Sequence, residues 1–198
     1  MAAEDVPLRA VWEWCKERGL LVNRLWPGYS AAGRGLHATS AVEAAASRAD
    51  GRGELLLRVP ASLLFNTRSI RSDPLLGPLL REAACAGVPR LSPLATLCLG
   101  LIHERAMGAA SRWAPMIASF PSEMITAEQF TVAELAQLPW AAALHDEARM
   151  QQENLAAASR LINGLLDAGY MPGSHRAAFG PEGLSWAWSV ISTRACFL

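Results

Sequence analysis

Apolar residues Leu8, Val11, Trp12 and Cys15 recur at i, i+3, i+4 and i+7 and predict one stripe of a first helix. Asp5 can cap it, Pro7 is tolerated in its first turn and Gly19 ends it. The pattern then changes period. Leu20 to Trp26 read as an apolar extended stretch closed by Pro27-Gly28. Residues 33–39, Gly-Arg-Gly-Leu-His-Ala-Thr, read as a short strand. Residues 40–52 are alanine-rich and end in Asp50-Gly51, the pattern of a long hairpin connection. Glu54 to Val59 is a continuous apolar run that suits a buried second strand, stopped by Pro60.

After Asn66 the period is helical. Asp73-Pro74 sets a cap and a proline ahead of Leu75, Leu76, Leu79 and Leu80. Ser92-Pro93 repeats the device before Leu94, Leu97, Cys98, Leu101 and Ile102, an amphipathic pattern ended by Gly108. Trp113 to Ile117 and Phe120-Pro121 predict a compact irregular segment. Thr126 with Gln129, and Thr131 with Glu134, have capping-box spacing. A long helix is expected over 142–167, with Leu155, Leu161, Ile162, Leu165 and Leu166 on its stripe and Gly169 at its end. Residues 170–183 read as a loop. A last helix runs from Leu184 through Trp186, Trp188 and Ile191. The expected class is α+β, mostly helical, with a short N-terminal β-hairpin. Two strands alone do not make a stable sheet, so this β element reads as part of something larger.

Composition narrows the function classes. Apolar residues make up 52% of 198, enough for a core, and charged residues 18%, below the usual quarter or so. Eighteen basic and eighteen acidic residues cancel, which gives no electrostatic case for nucleic acid or an anionic membrane surface. The apolar run from Leu94 to Ile102 is too short to span a bilayer. Glu4 and Asp5 stand where a signal peptide would have an apolar core, so a cytoplasmic or nuclear location is expected, an organelle being left open. Cys15, Cys85, Cys98 and Cys196 are scattered without a CxxC pair, the usage of reduced, buried thiols.

No Walker motif or HExxH occurs, and His37, His103, His145 and His175 have no neighbours at metal-ligand spacing. His103-Glu104-Arg105 reads as a C-terminal helical turn whose cations face the dipole. His145-Asp146 reads as structural. Gly33-Arg34-Gly35 by itself is a turn as readily as a ligand contact, and Trp186 and Trp188 are core residues as readily as a cofactor wall.

The order of four segments adds a further reading. Gly33 to Thr39 resembles a G-x-G-L-x-A strand, and Gly53 to Pro60 a G-E-x-L-x-x-V-P strand. Leu101 to Arg105, with Ser111 to Ile117 and Phe120 to Glu123, resembles an L-L-x-E-[KR] helix followed by S-x-W-x-P-Y-[IL] and L-P. Trp186 to Arg194 resembles a W-A-x-S-x-V-x-[ST]-R helix. In this order they resemble the N-terminal part of SET-domain protein methyltransferases, of the branch that includes the Rubisco large-subunit lysine methyltransferase and the actin histidine methyltransferase.

The resemblance implies a partial SET domain split by a helical insertion. Residues 1–28 would form the N-terminal helix and lead-in, 29–67 the first SET strands, 68–180 the insertion, and 181–198 the return into the SET core. It implies S-adenosylmethionine as cofactor, with a protein lysine, or secondly a histidine, as target. The backbone around Ala32, Gly33 and Arg34 would lie against the cofactor, and Arg194 would hold its carboxylate. Without the resemblance, Arg194 is a cation at a helix C-terminus.

Several positions depart from the family. Ala32 stands where Glu is frequent, Met116 where Tyr is usual, and the 40–52 connection is long. The family's D-x-x-N-H segment and later channel tyrosine have no counterpart; no Asn-His dipeptide occurs, and the tyrosines are Tyr29 and Tyr170. Weak or no cofactor binding and no turnover are therefore expected of this chain. The alternative is a non-catalytic helical interaction module derived from a SET protein, with an exposed apolar patch. In a helical domain unrelated to the family, 33–39 and 53–60 would not pair with each other as adjacent strands.

Overall fold

The computed structural model describes residues 5–31, 33–42, 53–171 and 173–194. These divide into two compact units, one of residues 1–65 with 115–119, the other of 66–114 with 120–198.

In the first unit, α1 (Asp5–Glu17) buries Trp12 and Trp14, the latter outside the expected stripe. The Asp5 side chain, expected to cap this helix, lies outside the described atoms. Trp12 meets Trp26 edge-on at 6.5 Å between ring centroids, and the Arg18 guanidinium lies 4.8 Å over Trp14. Gly19 takes φ +90°, which lets Leu20 N–H donate back to Cys15 O at 3.0 Å and close the helix.

Among the described residues, four short strands form two antiparallel ladders. β1 (Leu21–Val22) pairs with β4 (Leu57–Arg58), and β2 (Leu25–Ser30) pairs with β3 (Gly33–Ala38). The expected hairpin of 33–39 with 53–60 does not form. Its partners are exchanged: β3 turns back on β2 across residues 31–32, and the 53–60 run reaches β1. A two-residue loop closes locally at small entropic cost, whereas the other pairing must first close residues 40–52; residues 43–52 of that connection lie outside the described residues. Pro27-Gly28, expected to end the extended stretch, lies inside β2, opposite Leu36 and Gly35. A two-stranded ladder has a free edge on each strand, where a missing N–H is tolerated. Glu54 joins the two ladders through Arg24 Nε at 3.1 Å and Asn23 Nδ2 at 2.6 Å.

The second unit is helical. Its centre is α4 (Pro93–Met107), capped by Ser92 Oγ, which accepts from Ala95 N–H at 3.1 Å. This helix is not amphipathic as expected. Every residue from Ala95 to Glu104 is buried, because α2 (Thr67–Arg71), α7 (Ala142–Asp167) and α8 (Pro181–Arg194) all pack on it. A helix apolar on all sides is one that neighbours surround. Burying Leu99, Leu101 and Ile102 contributes roughly 1.5–3 kcal/mol each.

α3 (Leu76–Cys85) begins where Asp73 Oδ1 accepts from the Leu75 and Leu76 N–H groups. α5 (Ala114–Ala118) belongs to the first unit from Pro115 on, and in the second unit α6 (Val132–Ala136) starts with the capping box of Thr131 and Glu134. The Thr126 box does not form. Thr126 precedes a 3-10 turn, Ala127–Gln129, and its hydroxyl bonds to Glu128 and Ser189 instead. α7 has the expected limits. Residues 173–179, expected as loop, form a 3-10 helix, and α8 starts at Pro181, three residues before the expected Leu184.

Candidate functional site

In the N-terminal unit the expected ligand contacts lie at the start of β3. Ala32 is outside the described residues. Gly33 pairs with Ser30, and Arg34 with Tyr29. Gly33 has φ +98°, a conformation that favours glycine, and among the described residues no atom beyond its two chain neighbours lies within 4 Å of where its Cβ would stand. Gly35 is equally open. The strand therefore offers bare backbone to an approaching group, which fits a cofactor's demand for close main-chain contact.

In the helical unit Arg194 is exposed in the last turn of α8. Its Nη1 donates to Thr193 Oγ1 at 2.8 Å and lies 3.2 Å from Met124 Sδ, while Cζ sits 5.7 Å from the Phe120 ring centroid. Thr193 Oγ1 donates in turn to Ser189 O at 2.6 Å. The guanidinium is thus held against the Phe120–Met124 segment.

The third and fourth sequence segments meet in this unit. Trp186 Nε1 donates to Pro121 O at 2.9 Å, and the Arg105 guanidinium lies 4.0 Å over the Trp186 ring. Sequence spacing carried no signal for that stacking, since the two residues stand on helices far apart in the chain. Beside it opens a groove of about 1300 Å³ lined by Arg105, Ser122, Met124, Gln129, Glu182 and Trp186 among others. Behind it Ser189 Oγ donates to the buried Glu128 carboxylate at 2.7 Å. Trp188 is a core residue whose Nε1 donates to Gln151 Oε1 at 3.0 Å.

The His103-Glu104 pair is not an exposed helix end. Both residues are buried. Glu104 Oε2 accepts from Ser111 Oγ at 2.6 Å, and Ser111 Oγ accepts from Trp113 N–H at 3.0 Å. This chain of bonds seats the Ser-x-Trp landmark on α4. Burial pushes the Glu104 carboxyl above the usual range, Ser111 opposing it. His103 Nε2 lies 3.8 Å from Asp73 Oδ1. His145 Nε2 bonds to Leu138 O at 3.0 Å and Asp146 pairs with Arg149, both structural. Cys15 is half-buried, Cys98 buried and Cys85 exposed, contrary to the expectation of uniformly buried thiols. Among the described residues no cluster of His, Cys, Asp and Glu could hold a metal ion, and no helix is long and apolar enough to cross a membrane.

No protein-family model matches the chain. It is 26% identical over 200 residues to SET domain-containing protein 4 of Mus musculus and 25% identical over 198 residues to that of Homo sapiens, in each case over 99% of this chain and 41% of the relative. Among solved structures it is similar to the SET domain of LSMT bound to lysine and AdoHcy, with TM-score 0.71 and 18% identity over 98% of this chain and 40% of that one. Rubisco LSMT bound to sinefungin and monomethyllysine gives TM-score 0.66 and 18% identity over 96% and 41%. The chain therefore spans about two fifths of the length of these proteins. Over nearly its whole length its fold is that of a SET domain of the LSMT type. That 33–39 and 53–60 pair with other strands rather than with each other does not mark an unrelated helical domain.

Proposed function

From this SET-domain fold of the Rubisco large-subunit methyltransferase type, we propose that the chain carries the front part of an S-adenosylmethionine-dependent protein N-methyltransferase, acting on lysine before histidine. Residues 29–67 supply the first SET strands, 68–180 the helical insertion, and 181–198 the return. The observation that carries the reading is the likeness, along almost the entire chain, to structures described as holding AdoHcy or sinefungin together with lysine or its methylated forms.

The cofactor supplies an electrophilic methyl group on a sulfonium. The chain's own residues would hold it. Gly33 and the Arg34 main chain allow close approach, Ala32 adjoins them, and the Arg194 fork suits a carboxylate. A lysine acceptor must be neutral to attack, so catalysis rests on positioning and on a dry channel. As two fifths of such a protein, the chain by itself is proposed to bind cofactor weakly and to transfer no methyl group.

Titration of AdoHcy into the isotopically labelled chain, followed by NMR, tests this reading. Saturating shifts are expected at the Gly33 to Gly35 amides and the Arg194 Nε–H, with a Kd of about 1 mM or weaker. If high AdoHcy moves no resonance at either place, the cofactor reading fails.

A second reading, a non-catalytic interaction module, is favoured by one observation. In the helical unit Ile125, Val132 and Trp140 are 81%, 86% and 78% exposed. Exposed apolar groups mark an interface where they form one contiguous patch. A discrete dimer in sedimentation, lost in Trp140→Ala, would support it; a monomer at all concentrations would count against it.

A further inference from the structure

The helical unit holds a second cavity that the methyltransferase reading does not use. It has a volume of about 350 Å³ and is bounded by α3, the 88–91 segment after it, Thr96 of α4 and Leu165 of α7. Its walls are apolar, with Leu80, Ala83, Val88, Leu91 and Leu165 among them, and three arginines line it: Arg71, Arg81 and Arg90. Among the described residues no aspartate or glutamate lines it. The whole chain is electrically neutral, so three like charges without a counter-charge are a local excess.

Two further facts sharpen this. Among the described residues none of the three guanidiniums is engaged in an ion pair or side-chain hydrogen bond. The Arg81 head is also placed: its Nη1 lies 3.4 Å from where a Cβ on Gly77 would be, folded back over the start of α3. Gly77 itself lines the cavity. A side chain there would stand 2.4 Å from Arg71 O, so a glycine keeps Arg71, Arg81 and the cavity together.

We propose that this cavity binds a phosphate monoester carried on a compact apolar body. Guanidinium forks pair with phosphate oxygens in two-bond geometry, and a dianion answers three positive charges better than a single carboxylate does. The apolar wall requires an apolar body beside the charge, and the volume is at the small end of ligand pockets. The ester can be a free small molecule or a phosphorylated side chain; the chemistry is the same, and the experiment separates the two.

The full chain is titrated by NMR with phenyl phosphate, phenol, inorganic phosphate and a phosphotyrosyl peptide. Saturable binding of phenyl phosphate is expected, with shifts at the Val88, Arg90 and Leu91 amides. Arg81→Gln and Arg90→Gln should each weaken it about tenfold or more, and raising salt should weaken it further. Both arginines are exposed, so the variants should keep the wild-type melting temperature. Stronger binding of phenyl phosphate than of the peptide assigns a small-molecule ligand; the reverse assigns a modified side chain. Either supports the site. Phenol or inorganic phosphate binding as tightly as phenyl phosphate would overturn it. So would equal binding by wild type and both arginine variants, or no saturable shift.

Discussion

Gly100 shows how closely this core is drawn. A Cβ there would stand 2.5 Å from Ile70 Cγ1 and 2.6 Å from Cδ1, so α2 approaches α4 only because position 100 has no side chain. Gly100→Ala should destabilise by about 1–3 kcal/mol through overpacking. Ile70→Ala empties the same space, so the double variant should be less destabilised than the two single losses added together. A strictly additive cycle in urea melts would refute the contact. The cysteines give a second test at this scale. Burial, with Glu128 adding to it, pushes the Cys98 thiol up to about 12, whereas Cys85 is exposed. Iodoacetamide should label Cys85 in the native protein and Cys98 only after unfolding. Native labelling of Cys98, read by peptide mass, would contradict that burial. Only the spacing of Cys98 on an apolar face announced its burial in the sequence; nothing around Cys85 announced its exposure.

At the scale of elements, the bond chain Glu104–Ser111–Trp113 fixes the turn after α4. Its carboxyl has a raised folded pKa, first from desolvation. For a carboxyl raised on folding, the favourable contribution is full below its unfolded pKa and is lost as pH rises through the folded one. The native chain should therefore lose stability from this group as pH climbs from the ordinary carboxylate range to the raised value. Glu104→Gln keeps an acceptor for Ser111 and removes the titration. Its melting temperature relative to wild type should rise across that window, and an unchanged difference from acid to neutral pH would sink the assignment. Thr131 with Glu134 and Ser92 before Pro93 form caps as their spacing predicts, because a cap is a bond between residues three apart. Thr126 has the same spacing and is drawn off by Ser189, 63 residues later.

For the whole molecule, neutrality and exposed apolar groups act together. The sequence pI is about 6.9. In the N-terminal unit Leu21, Trp26, Tyr29 and Leu36 are exposed, as are Ile125, Val132 and Trp140 in the other. Near-zero net charge removes the repulsion that keeps such surfaces apart. Self-association in sedimentation should be strongest near pH 7 and weaker at pH 9, and salt should deepen rather than relieve it at pH 7. Association that is indifferent to pH would show that charge has no part in it.

What the sequence determined by itself is local. The limits of α7, the Gly19 stop, the Ser92 and Thr131 caps and the helical period after Asn66 all arise from interactions within a few residues. The order of four loose segments also pointed to the SET-type fold, because motif order survives where identity falls to 18%. Tertiary structure decided the rest. β3 joined β2 because that pairing closes the smaller loop, and the 53–60 run, left without β3, joined β1. The burial of His103 and Glu104 came from helices that surround α4, which no period along α4 can reveal. The stacking of Arg105 on Trp186 and the gathering of Arg71, Arg81 and Arg90 around one cavity likewise unite residues that only packing makes neighbours.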